Sequence, residues 1–230
     1  MGNLLIKEKT IVVPGDTVAT GMDFLPASGM FREGENIICM QVGLLSVNGR
    51  LVKVIPLKGL YIPKKDDIVI GRITDVGYTN WFVDVGYANE ASLSMKDASS
   101  DYIERGANLT DYFAHNDFIL TKITNVTQSK SIDLTMRGPG LRKLHEGIII
   151  KVMATKVPRI VGRQGSMISM IKEKTGCQIS AGQNGLIWIN DKEPKNVKLA
   201  IDTIRLIEQE AHTSGLTEKI KTFLEKGGKK

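Results

Sequence analysis

Over the first half of this chain apolar residues come in short runs broken by turn formers, and in its last third they shift to helical spacing. Thr10-Ile11-Val12-Val13 is a β-rich run stopped by Pro14-Gly15-Asp16, a strong turn former. Ile37 to Met40 and Leu44 to Val47 follow. Asn48-Gly49 then joins the second of these to Leu51–Ile55, a short hairpin signal. Residues 1–64 are therefore predicted to form a small β domain without a chemical motif, closed by the junction Pro63-Lys64-Lys65-Asp66-Asp67.

Five more runs follow: Ile68 to Ile73, Trp81 to Val85, Ala91 to Met95, Phe118 to Val126 and Ile132 to Met136. A longer polar excursion, rich in Asp and Ser, separates the third from the fourth. The pattern fits a five-stranded OB barrel over residues 65–137, and another small barrel would satisfy the periodicity nearly as well. Gly138-Pro139-Gly140 breaks the chain, and residues 138–146 are expected to be a linker.

From Gly147 the order becomes mixed. Ile148–Val152 reads as a strand, Pro158–Val161 as a helical turn, and Ser166–Lys174 as a helix ended by Gly176. Cys177–Ser180 and Leu186–Ile189 read as strands joined through Asn184-Gly185. Pro194 suits the first turn of a long helix with the stripe Val197, Ile201, Ile204 and Ile207. Between the two short helical segments lies Gly162-Arg163-Gln164-Gly165. A GxxG sequence is weak by itself, but in this β-α-loop-α-β-β-α context it resembles the loop of a KH domain, which clamps about four nucleotides. The domain is expected over 147–212, with 213–230 a basic, flexible tail. Taken together, the chain reads as multidomain α+β: a small β domain, a β-barrel and a C-terminal α/β KH domain.

Charge locates the chemistry. The chain carries a net charge of +6, divided as +3 over residues 1–65, −5 over 66–138 and +8 over 139–230. Phosphate contacts are supplied by Lys and Arg, so the last third is expected to make most of them. Glycines let phosphates approach the backbone, and the following helix presents free N–H groups. Arg163 adds a mobile charge, Lys156 and Arg159 flank the same edge, and Ile160, Val161, Ile168 and Ile179 are expected to line a groove for bases. In the acidic barrel, Trp81 with Phe82 or Tyr78 offers a stacking platform that needs no positive charge. Trp81 and Phe82, being adjacent on a strand, face opposite ways, and spacing does not say which is exposed. Lys130 and Arg137 complete the candidate set.

Enzyme chemistry finds little support. His115, His145 and His212 are isolated, no phosphate-binding Walker loop or GxSxG is present, and Met153, Met167 and Met170 suit core filling. Neither a metal nor a cofactor is expected. Cys39 and Cys177 form no metal-ligand pair, and no apolar run approaches a membrane span, so a cytoplasmic, non-catalytic RNA-binding protein is expected.

In order, Val12-Val13-Pro14-Gly15-Asp16, Asp67-Ile68-Val69-Ile70-Gly71-Arg72-Ile73, Arg137-Gly138-Pro139-Gly140 and Gly162-Arg163-Gln164-Gly165 resemble the S1/KH RNA-binding cap subunits of the archaeal exosome, from about residue 8 to residue 212. The resemblance implies an S1-type OB fold. It also implies an N-terminal domain that docks on a hexameric ring of RNase PH-like subunits, with three caps around the pore. The implied ligand is the 3′ end of single-stranded RNA, with A-rich tails favoured. Where many S1 domains carry a contacting His on the third strand, this chain has Ser94, which moves the expected main grip to the KH loop. A free-standing regulator of transcription or translation built from OB and KH domains satisfies the same motifs.

Overall fold

The computed structural model describes residues 2–104, 106–211 and 215–227, and the chain divides into two compact units, Met1–Gly59 and Leu60–Lys230. His212 and tail residues 213, 214 and 228–230 of the expectations above lie outside the described residues.

The first unit holds eight strands: β1 (Asn3–Leu4), β2 (Ile11–Val12), β3 (Thr17–Thr20), β4 (Leu25–Pro26), β5 (Met30–Glu33), β6 (Asn36–Cys39), β7 (Gly43–Asn48) and β8 (Leu51–Pro56). They form two four-stranded sheets, ordered β1-β3-β6-β5 and β2-β7-β8-β4. Both sheets contribute to one core, which includes Val12, Val18, Ile37, Leu45, Val52 and Val54. The hairpin is present as expected: Asn48 pairs with Leu51, and Gly49 supplies the positive φ of 60° that the tight turn requires.

The second unit opens with a barrel of β9 (Ile68–Val76), β10 (Asn80–Asp84), β11 (Ala91–Ser94), β12 (Phe118–Val126) and β13 (Ile132–Thr135), with the one-turn helix α1 (Met95–Ala98) after β11. Pairing of β12 with β13, and of β13 with β11, closes the five strands on themselves. Alternating residues such as Val69, Ile73, Trp81, Val83, Leu93, Ile119 and Leu134 fill the interior. Tyr61 is packed into this same core and donates its hydroxyl to Asp67 Oδ2 at 2.7 Å. The unit boundary therefore falls at Gly59, ahead of the junction expected near residue 64.

The stretch expected to be a linker is partly a strand. β14 (Arg142–Leu144) pairs antiparallel with β12 and extends the barrel sheet. Leu144 is then buried with Ile70 and Trp188 in a small cluster between barrel and KH domain, and Arg142 lies 5.4 Å over the Trp188 ring.

The KH domain has β15 (Ile148–Lys151), α2 (Val157–Val161), α3 (Ser166–Thr175), β16 (Gln178–Ala181), β17 (Leu186–Asn190) and α4 (Pro194–Gln209), with the antiparallel sheet order β15-β17-β16. Met167 and Ile171 of α3 and Val197, Ala200, Ile204 and Ile207 of α4 are buried against it, while Ile201 is only half-buried. Met153, expected as core filler, is exposed at the surface. The expected flexible tail is corrected by α5 (Leu216–Gly227), whose Leu216, Ile220 and Leu224 recur every four residues and are buried in the KH core. Among the described residues no helix is long and apolar enough to cross a membrane.

Candidate nucleic-acid interface

The glycine loop is built by the backbone. Pro158 stands in the first turn of α2, and Gly162 ends that helix at φ 77°, ψ 175° while donating its N–H to the Pro158 carbonyl at 3.0 Å. A β-carbon on Gly162 would stand 2.8 Å from both Met167 Cβ and Met167 N, so the loop closes tightly on α3 only without one. Gly165 also has a left-handed φ of 78°, but open space around it. Gln164 takes φ 52° with a side chain present, a strained choice that leaves it and Arg163 exposed at the tip. α3 begins at once, and no side chain among the described residues caps it. Its first N–H groups therefore face outward beside the loop, an arrangement suited to a phosphate.

Lys156, half-buried, and Arg159, exposed, stand on the preceding turn and helix. Among the described residues neither they nor Arg163 has an ion-pair partner, so their charge is available to a ligand. The groove has fewer apolar lining residues than expected. Ile160 and Ile179 belong to the core, and of the four expected lining residues only Val161 and Ile168 are half-buried.

In the barrel the structure decides between the two adjacent aromatics, against Trp81. Its indole is fully buried, donates Nε1–H to the Phe113 carbonyl at 3.0 Å and meets the Phe113 ring edge-on at 5.4 Å. It is core and offers no stacking face. Phe82 points outward, 37 % exposed, between Asp75 on β9 and Ser92 on β11. Tyr78 is almost wholly exposed on the β9–β10 turn. Lys130 is exposed in the β12–β13 turn at φ 66°, with its carbonyl accepting from Asn89 Nδ2. Arg137 donates its Nε–H to the Ser99 carbonyl at 2.9 Å, and Ser94 donates to Asp97 Oδ2 at 3.1 Å. The KH candidates thus share one edge, whereas Tyr78, Lys130 and Arg137 are spread over separate barrel segments. Several barrel cations are already paired: Arg72 with Asp84, Lys122 with Asp66 and Lys143 with Asp117.

One functional segment has no counterpart in the sequence reading beyond a turn. The β16–β17 loop, Gly182-Gln183-Asn184-Gly185, is seated on the barrel. Asn184 is buried; its Nδ2 donates to the carbonyls of Ile70 at 2.7 Å and Val85 at 2.9 Å, and its Oδ1 accepts from the Ile70 N–H. Gln183 N–H donates to the Ile68 carbonyl at 2.8 Å. A β-carbon on Gly182 would lie 2.7 Å from Ile70 N, so glycine is required for the approach. These bonds fasten the KH domain to β9, and a buried amide of this kind leaves no periodic signal in sequence.

Comparison with known proteins follows the same division. Residues 9–58 match the profile of the exosome RNA-binding protein Rrp4 N-terminal domain, 60–125 that of the Rrp4 S1 domain, and 147–195 that of a KH domain. An exosome complex component Rrp4 of Methanothermobacter thermautotrophicus is 40% identical over 223 residues, 97% of this chain and 70% of that protein. The Rrp4 of Pyrococcus furiosus is 40% identical over 227 residues, 97% of this chain and 86% of that protein. A crystal structure described as an exosome complex RNA-binding protein superposes with a TM-score of 0.65 at 34% identity, covering 74% of this chain and 97% of that one.

Proposed function

The chain belongs to the exosome Rrp4 family, and from that footing we propose that it is a non-catalytic cap that captures single-stranded RNA 3′ ends and passes them to a ring of phosphorolytic exoribonuclease subunits. The observation that carries this reading is the Gly162–Gly165 loop. It combines the exposed Arg163, which like the nearby Arg159 has no ion-pair partner among the described residues, with a helix start that has no side-chain cap, on a domain fastened to a barrel that exposes Phe82. The loop holds phosphates by charge and backbone N–H groups, which do not distinguish bases, so a strand can shift along it. Phe82 and Tyr78 add stacking contacts worth roughly 1–3 kcal/mol per base, and these too tolerate any sequence. Lys130 and Arg137 contribute charge at the barrel rim.

The N-terminal unit supplies the dock on the ring, and three caps per ring share one RNA. Linked weak sites of this kind raise avidity by roughly 10²–10⁴ where geometry permits. A weak grip per module suits a cap that must release RNA toward another subunit's active site. The protein acts in the cytoplasm.

Single-stranded RNA binding, followed by fluorescence anisotropy against salt, tests the loop. Because Gly162 cannot accept a β-carbon without distortion, the informative variant is Arg163→Asp with Gln164→Asp, which keeps both glycines and places carboxylates where phosphates bind. It is expected to weaken binding at least about tenfold and to flatten the salt dependence. Unchanged affinity would remove the loop from the mechanism.

A further inference from the structure

A second basic group lies at the other end of α3. The α3–β16 junction and the β17–α4 junction are side by side: Cys177 Sγ is 3.6 Å from Asp191 Oδ2, and Asn196 Nδ2 donates to the same oxygen at 2.9 Å. Around them stand Lys174, Lys192 and Lys195, with Lys172 and Lys198 on the adjoining helical turns, all five exposed. Among the described residues none of the five is in an ion pair. Three carboxylates share the region, Glu173, Asp191 and Glu193. That of Asp191 is turned to donors of its own loop, the Asn196 amide and the Glu193 N–H, so the rim keeps a positive excess.

Position gives this rim its meaning. α3 has ten residues, so the rim lies about 15 Å from the glycine loop at 1.5 Å per residue. β16 leads from the rim toward the loop that holds the barrel, four residues or about 13 Å along a strand. The roughly four nucleotides that a KH loop clamps are held at the loop itself, so the rim is left to nucleotides further along the strand.

We propose that Lys174, Lys192 and Lys195 form a second RNA-backbone site, which takes phosphates of a strand already held at Gly162–Gly165. The inference rests on the reading that the loop grips RNA. It makes the KH footprint longer than the loop's own nucleotides and gives the chain a grip on the body of a long substrate. Exposed lysines contact phosphates as point charges without reading bases, so the site is sequence-neutral.

The test compares fluorescein-labelled oligoadenylates of four and twelve nucleotides on the full chain. The triple variant Lys174→Gln, Lys192→Gln, Lys195→Gln changes only exposed side chains, and an unchanged thermal melt checks its fold. It is expected to weaken binding of the twelve-mer and to flatten its log–log salt slope by about two, from about 0.7 per phosphate lost, while the four-mer binds as before. An unchanged twelve-mer affinity and slope would overturn the proposal and leave the rim to an acidic protein surface. Equal weakening of both oligonucleotides would also overturn it, because the lysines would then act on the loop's own nucleotides. The underlying reading fails separately, if Arg163→Asp with Gln164→Asp leaves the four-mer unaffected.

Discussion

Gly162 and Gly165 have nearly the same left-handed φ, 77° and 78°, yet only the first is also boxed in by Met167. Replacing Gly165 by Ala should cost roughly 1–2 kcal/mol from backbone strain alone. Gly162→Ala should cost more, roughly 2–4 kcal/mol, because the strain and the collision add. Urea denaturation of the two variants checks the order, and a larger loss at Gly165 would contradict the loop geometry. A titratable case lies at the far end of α3. The side-chain hydrogen bond from Asn196 holds the Asp191 carboxyl below the ordinary aspartate value of 3.8. Asp191 therefore binds its proton less readily folded than unfolded, and its contribution to stability is present above that value and lost as pH falls through the lower, folded one. Stability measured against pH should show a shallower acid limb in Asp191→Asn than in the native chain. At this scale the sequence was legible only in part. The alternation of Trp81 and Phe82 requires that one face inward, but the choice depends on the register of β10 with β9 and β11, which pairs Trp81 with Val76 and Leu93.

Among the elements, the strands and helices that carry strong turn or periodicity signals stand close to where the sequence puts them, and the misjudged ones are those in which two signals compete. Residues 216–227 are rich in lysine, which argues for solvation, while Leu216, Ile220 and Leu224 at four-residue spacing argue for a helix with one buried face. Burial decides for the helix. Leu224→Ala should therefore destabilise the KH domain by about 2–5 kcal/mol in thermal or urea unfolding, and a change within the noise of a surface substitution would restore the flexible tail. β14 is a similar case. Gly138-Pro139-Gly140 marks a break, but Arg142–Leu144 then finds the open edge of β12. The latch of Asn184 on the barrel is illegible by any period, since it depends on one amide meeting backbone groups 99 and 114 residues earlier. Asn184→Ala leaves the Ile70 and Val85 carbonyls without that donor, and should cost roughly 2–4 kcal/mol and separate barrel and KH unfolding into two calorimetric transitions. A single, unshifted transition would show that the latch contributes nothing to joining them.

Across the whole molecule the division of charge organises the account. The acidic barrel spends several cations on its own carboxylates, and the cations of the basic KH domain at both ends of α3 have no ion-pair partner among the described residues. In the proposed function a strand is held mainly by charge at the KH domain and by aromatic contact at the barrel, two modes that let it advance without reading its bases. The order of motifs along the chain was legible, because Gly15, Gly140, Gly162 and Gly165 sit at positive φ that other residues resist, while Gly71 is closed in by Val83. The joining of barrel and KH domain was not, because it is made by long-range packing and hydrogen bonds. The most direct measurement is the phosphate-dependent degradation of a single-stranded RNA by the exoribonuclease ring, with and without this chain. The account predicts that the isolated chain releases no nucleotides, that it binds the ring and speeds degradation, and that Arg163→Asp with Gln164→Asp binds the ring equally but loses most of the acceleration. Failure to bind the ring, or equal acceleration by the loop variant, would contradict it.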